Sequence, residues 1–166
     1  AADCGEGAFF NSKAETVTVG KNARFGYGAF QSCKNLTTVN MPAEGGVYFG
    51  KYCFANDAAL VDIDLSKTGE IIEEAAFFGC TGLRKAILTN VKNIGDYAFA
   101  DCAKLSLVEV PSVVAIGRGV FAKYDQNTGS APCFTGIVLP ETLERIGDGA
   151  FARQNSLAEV TLPSSL

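Results

Sequence analysis

The sequence predicts an α/β repeat solenoid, with about seven short parallel strands in one sheet and 3₁₀ or short helical turns on the opposite side. Two observations predict this class. An Ala-Phe or similar dipeptide returns along the whole chain of 166 residues, and apolar residues stand at fixed distances before and after it. A unit this short cannot bury its own apolar face, so its copies must stack as rungs, each rung being one complete turn of the solenoid.

The repeat is visible first in the phenylalanines and in the residues five positions before them. The phenylalanines are Phe9, Phe30, Phe54, Phe77, Phe99, Phe121 and Phe151, with spacings of 21, 24, 23, 22, 22 and 30 residues. The residues five positions earlier are Cys4, Phe25, Phe49, Ile72, Ile94, Ile116 and Ile146. All seven of these earlier residues are apolar, and glycine follows six of them, which indicates a true period.

Each unit is predicted to contribute one short strand, because the positions six, nine and eleven after the phenylalanine are apolar. In Val108-Glu109-Val110 the alternation has period two, so one side points inward and the other faces solvent. A proline after the strand removes a backbone donor where the chain leaves the ladder, and Ile-Gly then starts a tight turn. The Ala-Phe segment is too short for a long helix, which favours a 3₁₀ or single helical turn.

Two places depart from the regular unit. After Phe121 the polar stretch 123–130 interrupts the pattern, and a shift of seven residues restores it at Phe134, which predicts an insertion within 122–136. At the other departure, Leu162-Pro163 completes a strand and no further Ile-Gly-x-x-Ala-Phe follows. We expect this C-terminal rung to be continued by more chain or covered by another polypeptide, because an open edge exposes apolar side chains and strand donors.

The complete unit reads I-G-x-x-A-F-x-x-C-x-x-L-x-x-V-x-L-P, and residues 94–102 are its clearest copy. It resembles the BspA-like class of leucine-rich repeats over nearly the whole chain, although Asp57 and Gln154 replace the cysteine. The resemblance implies the right-handed superhelix of leucine-rich-repeat proteins and a surface or secreted protein that mediates adhesion or protein contact. We predict one domain over residues 1–166, with units that start near residues 4, 25, 49, 72, 94, 116 and 146.

Composition narrows the function further. The chain has 14 Lys+Arg and 18 Asp+Glu, for a net charge of -4, so nucleic acid is not an expected partner. It contains no histidine, which removes Ser-His-Asp and Cys-His catalysis and every zinc site that uses histidine. The sequence has no run of 18 or more apolar residues, so we expect no integral membrane segment. We therefore expect no enzymatic activity, catalytic residue, cofactor or metal.

The six cysteines suggest either a disulfide framework or a reactive or metal-binding cluster, but the repeat gives five of them a packing role. Three stand three positions after the phenylalanine, where the consensus has cysteine. One replaces the small alanine before the phenylalanine, and one replaces the isoleucine. These five are Cys33, Cys80, Cys102, Cys53 and Cys4. We expect buried, unbridged thiols at 33, 53, 80 and 102. Cys133, in the insertion, is out of register and is a disulfide candidate with Cys102.

The candidate binding residues are the outward-facing strand residues, eight and ten positions after the phenylalanines. Ile87, Leu107 and Val138 form an apolar centre with acidic neighbours, which is typical of a protein contact. Strand propensity alone also places aliphatic residues at exposed positions, so both interpretations stay open. The candidates are Asp62, Asp64, Lys85, Ile87, Leu107, Glu109, Val138 and Glu159.

Two functions fit these observations. The first is a non-enzymatic recognition or adhesion module that binds a protein or cell-surface ligand through the sheet face or the insertion, in an extracellular or cell-surface location. The alternative is a structural scaffold subunit held in a larger protein assembly by its ends and flanks. Binding by the sheet face would be sensitive to charge reversal at Asp62 or Asp64, whereas a scaffold would depend on its terminal rungs and on residues 122–136.

Overall fold

A computed structural model of the chain describes residues 3–124 and 134–166, which form a β-solenoid of about seven rungs. The two-residue strands are β1 (Asp3–Cys4), β3 (Arg24–Phe25), β5 (Tyr48–Phe49), β7 (Ile71–Ile72), β9 (Asn93–Ile94), β11 (Ala115–Ile116) and β13 (Arg145–Ile146). The three-residue strands are β2 (Thr16–Thr18), β4 (Thr38–Asn40), β6 (Asp62–Asp64), β8 (Lys85–Ile87), β10 (Leu107–Glu109), β12 (Gly136–Val138) and β14 (Glu159–Thr161).

The strands pair in parallel in two ladders, so the prediction of one sheet is wrong. The two-residue strands form the groups β1-β3-β5 and β7-β9-β11-β13, and the three-residue strands form β2-β4, β6-β8-β10 and β12-β14. The isoleucine of Ile-Gly ends a strand of the first ladder instead of opening a tight turn, as Ile94 and Ile116 show. A two-residue strand is too short to show an alternating pattern in the sequence.

The glycine after these strands allows adjacent rungs to approach closely. A Cβ added to Gly95 would lie 2.8 Å from the backbone nitrogen of Glu74 in the preceding rung, and one added to Gly117 would lie 2.9 Å from the nitrogen of Asp96. Glu73 occupies this glycine position in the fourth rung. There the two-residue ladder is interrupted, between β5 and β7.

The segments around the phenylalanines are not helical, so the prediction of 3₁₀ or short helical turns is also wrong. In the fifth rung Ala98 and Ala100 donate their N–H groups to carbonyls three residues earlier, but Tyr97 and Phe99 donate theirs to the next rung, at 2.8 and 3.0 Å. Tyr97 and Asp101 have φ of 59° and 56°, which a 3₁₀ helix does not allow. Alternate N–H groups therefore join the rungs instead of closing a helix.

The phenylalanine column fills the core. Phe54, Phe77 and Phe99 are buried and stacked, with neighbouring ring centroids 5.2–5.3 Å apart. Phe30 and Phe121 are buried as well, so the predicted column is confirmed for five rungs, whereas Phe151 in the last rung is only half-buried. In the first and last described rungs the apolar side chains of Phe9 and Leu162 are 46% and 59% exposed.

The cysteines behave as packed core residues where the structure describes them. Cys33, Cys53 and Cys80 are buried and unbridged, and burial raises the pKa of the Cys53 and Cys80 thiols. The Sγ atoms of Cys33, Cys80 and Cys102 donate to the phenylalanine carbonyl of the preceding rung at 3.0–3.1 Å. Cys133 lies outside the described residues, and so does its predicted pairing with Cys102.

The described part of the chain has no helix with the length and apolar character needed to cross a membrane.

Candidate functional site

Strands β6, β8 and β10 form the longest run of the three-residue ladder and carry six of the eight predicted binding residues. Asp62 is in register with Lys85, which is in register with Leu107. The other outward row pairs Asp64 with Ile87 and Ile87 with Glu109, and we call these six residues the strand face. The middle residue of each strand points into the core, because successive side chains of a strand alternate between its two sides.

The strand face is acidic. It carries three carboxylates, Asp62, Asp64 and Glu109, against the single amine of Lys85, whose Nζ lies 3.4 Å from the Glu109 carboxylate. Because both partners of this pair are partly exposed, the contact contributes only about 0–1 kcal/mol to stability. The Asp64 carboxylate accepts a hydrogen bond from the backbone N–H of Ser66 at 2.9 Å, which orients its side chain along the edge of the face.

The predicted apolar centre is divided by the structure. Leu107 is exposed and Ile87 is half-buried on the strand face. Val138 is 77% exposed, but it lies with Glu159 on the separate pair β12-β14, which is not hydrogen-bonded to β10. The chain between β11 and β12 contains the predicted insertion, most of which lies outside the described residues. Six of the eight candidates therefore share the strand face, and Val138 and Glu159 lie on the separate strand pair β12-β14.

A cleft of about 560 Å³ lies where the two-residue ladder is interrupted, between β5 and β7. The Tyr48 hydroxyl donates to the Glu73 carboxylate at 3.2 Å, and the Arg24 guanidinium carbon lies 4.6 Å from the centroid of the Tyr48 ring. Burial, together with the negative charge of Glu73, raises the pKa of Tyr48. The sequence analysis missed this cleft, although a glutamate in the glycine column was a readable signal.

A second cavity, of about 460 Å³, opens on the segments around the phenylalanines and is lined by Tyr52, Ala75, Phe78, Tyr97 and Tyr124. The sequence analysis missed it too. The sequence feature that marks this cavity is a tyrosine two positions before Phe54 and Phe99, where four of the seven units have glycine.

Residues 3–124 and 134–166 contain no group of three or more His, Cys, Asp or Glu placed to hold a metal ion. The arrangement offers surfaces for binding: an acidic strand face and two clefts with aromatic walls.

Comparison with known proteins agrees with the geometry. The sequence profile described as "BspA type Leucine rich repeat region" matches residues 2–128 and 130–166, with six copies. A leucine rich cell surface protein from Faecalibacterium prausnitzii superimposes with a TM-score of 0.72 at 23% identity, over 96% of this chain and 42% of that protein. A leucine-rich repeat protein from Bacteroides ovatus superimposes with a TM-score of 0.65 at 20% identity, over 99% of this chain and 47% of that protein.

The pneumococcal vaccine antigen PcpA is also similar, with a TM-score of 0.58 at 14% identity, over 99% of this chain and 55% of that protein. At these identities the likeness shows the fold alone, and the chain spans about half the length of these structures. No curated protein sequence matches the chain.

Proposed function

Because the chain belongs to the BspA-type leucine-rich repeat family, we propose that it is a non-enzymatic recognition or adhesion module whose strand face binds a macromolecular partner. The observation that carries this proposal is the three-stranded register of β6, β8 and β10. It places exposed Leu107 in one row with Asp62 and Lys85, and half-buried Ile87 in the other row between Asp64 and Glu109. Apolar contact area beside charged residues is the usual composition of a protein interface.

The partner surface that fits this face is basic. Three carboxylates and one lysine leave a charge of -2 on the strand face, so a basic partner gains both a faster encounter and the correct orientation. Val138 and Glu159 on β12-β14 extend the contact if the partner also reaches that pair. An extracellular or cell-surface location is supported by the descriptions of two similar structures, a cell surface protein and a vaccine antigen.

The experiment places a photo-crosslinking amino acid at Leu107 and exposes the chain to intact cells or surface extracts of its native source. The double variant Asp62→Lys, Asp64→Lys reverses the face charge, and the double variant Glu6→Lys, Glu44→Lys is the matched control, because both glutamates are exposed and lie outside the strands. We expect crosslinking through Leu107 to fall at least ten-fold in the double variant, with the control unchanged. Equal crosslinking by all three proteins would reject the strand face as the binding surface.

The second candidate is a scaffold subunit, which the last rung favours. Val160, Leu162 and Leu166 are 45%, 59% and 50% exposed, which leaves an apolar edge beside β14. We propose that more chain or another polypeptide covers this edge. Under a scaffold role, assembly would depend on these three residues and would be insensitive to charge reversal on the strand face.

A further inference from the structure

A second binding feature is the cleft of about 560 Å³ between β5 and β7, on the ladder that does not carry the strand face. In the fifth rung the backbone N–H of Gly95 donates to the Ile72 carbonyl at 2.8 Å. The equivalent bond one rung earlier would join Glu73 to Phe49, and no backbone hydrogen bond in the described part of the chain makes that connection. The cleft is therefore an opening in the ladder itself.

The side chain of Glu73 explains this opening. A Cβ added at the same position of the fifth rung, on Gly95, would lie only 2.8 Å from the backbone of the preceding rung. That distance is too short for a regular ladder, so the Cβ of Glu73 keeps the fourth rung away from the third. On either side of the opening the backbone still joins the two rungs, at 3.2 Å from Gly69 to Val47 and at 3.1 Å from Tyr52 to Glu74. The opening is thus local and has fixed edges.

Two opposite charges line the cleft and contact the same tyrosine. The Arg24 guanidinium carbon lies 4.6 Å from the centroid of the Tyr48 ring, and the Tyr48 hydroxyl donates to the Glu73 carboxylate at 3.2 Å. Because the guanidinium stacks over the ring and the carboxylate meets its hydroxyl, the two charged groups lie within about 9 Å of each other.

Both charged groups keep hydrogen-bonding capacity for a ligand. The ion pair of Arg24 is a 4.0 Å approach of its Nε atom to Asp3, and its side chain is 59% exposed, which leaves the terminal N–H groups available. Glu73 accepts the Tyr48 hydroxyl at Oε1, and in residues 3–124 and 134–166 its other oxygen accepts no hydrogen bond. The nearby Lys51 pairs with Glu74, at 2.9 Å.

The cleft also has an apolar wall and free space. Ile71 lines it and is 54% exposed. Gly46 and Gly69 line it as well, and a Cβ added to either would lie in open space. An apolar wall with a few convergent polar groups, in a cleft of this volume, is the usual composition of a small-molecule site.

The signs of the charges favour a zwitterion. A simple cation in the cleft would face the charge of Arg24, and a simple anion would face the charges of Glu70 and Glu73, which both line it. A ligand with one charge of each sign meets an opposite charge at both ends. The guanidinium suits a carboxylate, which it can bind through two parallel N–H groups, and the glutamate suits an ammonium group.

The spacing of the charges selects an α-amino acid among zwitterions. Its ammonium nitrogen and carboxylate carbon lie about 2.5 Å apart, so one charged hydrogen bond at each end brings the two protein groups to roughly 7–9 Å. This range agrees with the separation that Tyr48 sets between Arg24 and Glu73. A dipeptide places its two charges roughly 3.5 Å farther apart and exceeds that separation.

We propose that the cleft between β5 and β7 binds a free α-amino acid with an apolar side chain. Its carboxylate pairs with Arg24, its ammonium group with Glu73, and its side chain packs against Ile71. This site is separate from the strand face, and the proposal does not depend on the function proposed for that face.

The test is an NMR titration of the 166-residue chain, labelled in its isoleucine methyl groups. The probes are leucine, leucinamide without the carboxylate, N-acetyl-leucine without the ammonium group, and leucyl-leucine with more distant charges. We expect the Ile71 methyl signals to shift with leucine. Each of the other three probes should bind about ten-fold more weakly, because one charge-assisted hydrogen bond is lost or misplaced. Glycine, which lacks the apolar contact, should bind several-fold more weakly than leucine.

Four variants locate the site. Glu73→Gly restores the glycine of the repeat, so it should close the ladder, protect the backbone N–H of residue 73 from hydrogen exchange and abolish leucine binding. Glu73→Gln keeps a side chain in the opening and removes its charge, so it should weaken leucine about ten-fold, with little effect on N-acetyl-leucine. Arg24→Gln should weaken leucine with little effect on leucinamide. Arg145→Gln changes the arginine at the same position of the seventh rung and should leave binding unchanged.

Each outcome supports or overturns the proposal. Leucinamide or N-acetyl-leucine that binds as tightly as leucine would overturn it, and so would tighter binding of leucyl-leucine. Leucine shifts that survive in Glu73→Gly, or no shift at the highest soluble leucine concentration, would do the same. Loss of binding in Glu73→Gly together with unchanged binding in Glu73→Gln would reject the pairing of the ammonium group with Glu73.

Discussion

Asp57 occupies the position that the repeat gives to cysteine, and its replacement provides the sharpest test of the core. The residue is fully buried, and one carboxylate oxygen accepts the backbone N–H of Cys33 at 2.7 Å. The other, Oδ2, is buried without a hydrogen-bond partner. In other rungs the side chain at this position donates to the preceding phenylalanine carbonyl, as Cys80 does to Phe54 and Gln154 does to Phe121. An ionised carboxylate has no proton to donate.

The pKa of Asp57 determines how much its burial lowers the free energy of unfolding. Burial raises it to about 8 from an ordinary value of 3.8. Because the folded-state pKa is the higher one, stability is greatest below pH 4 and falls as the pH rises through 8. Each pKa unit corresponds to about 1.4 kcal/mol, so at pH 7 the folded state bears a penalty of about 4 kcal/mol relative to a residue that does not titrate.

We therefore expect Asp57→Asn to raise the free energy of unfolding at pH 7 by about 2–4 kcal/mol, since the amide keeps the acceptor for Cys33 and adds a donor. The gain should be close to zero at pH 4, where the unfolded chain also protonates Asp57. Urea denaturation at pH 4, 6 and 8, followed by tyrosine fluorescence, measures it, and Asp57→Cys, the residue of the repeat, is the control. A gain that does not change with pH, or a wild-type chain more stable than Asp57→Asn at pH 8, would refute the reasoning.

Three further predictions concern the core and the last rung. Phe99→Ala should lower the free energy of unfolding by about 3–5 kcal/mol in urea, because rings stack on both of its sides; a loss below 1 kcal/mol would contradict the column. Cys33, Cys53 and Cys80 should alkylate slowly in the native chain, and mass analysis without reductant should show no bridge among them, since burial shields all three thiols from the reagent and raises the pKa of Cys53 and Cys80. A polar capping repeat appended after Leu166 should raise the melting temperature; hydrogen-exchange protection of β14 in the monomeric chain would show that the edge is already closed.

The sequence predicted the columns of the core because a buried position in a repeat depends mainly on the type of side chain. The phenylalanine spacing and the alternation around Val108 are readable without any coordinates. The same constant spacing also placed Asp62, Lys85 and Leu107 in one row, which the strand register confirms. The separation of Val138 from that row was not readable, because the apolar pattern of the repeat is the same at β10 and at β12, which do not pair.

The second ladder and the non-helical segments were missed for a different reason. Both depend on which backbone N–H groups are directed to the next rung, and side-chain pattern carries little information about that choice. Ala98 and Phe99 are adjacent in sequence, yet one closes a turn and the other joins two rungs. The sequence also predicted that the glycine after the isoleucine starts a turn. In the structure this glycine faces the backbone of the preceding rung, a contact that a single unit of the sequence does not reveal.

Four residues of the third to fifth rungs are unfavourable for packing. Asp57 puts an acid in the core, Glu73 puts a side chain where glycine allows close approach, and Tyr52 and Tyr97 put rings on left-handed backbone. Stacking alone would favour the cysteine and glycine of the repeat at positions 57 and 73, and at 52 and 97 the glycine that four other units carry. Of the three residues at the surface, Tyr52 and Tyr97 line the cavity of about 460 Å³, and Glu73 lines the cleft at β5 and β7. The middle of this solenoid thus gives up regular packing where its surface offers concave aromatic walls, which is the arrangement expected of a binding module and not of a spacer.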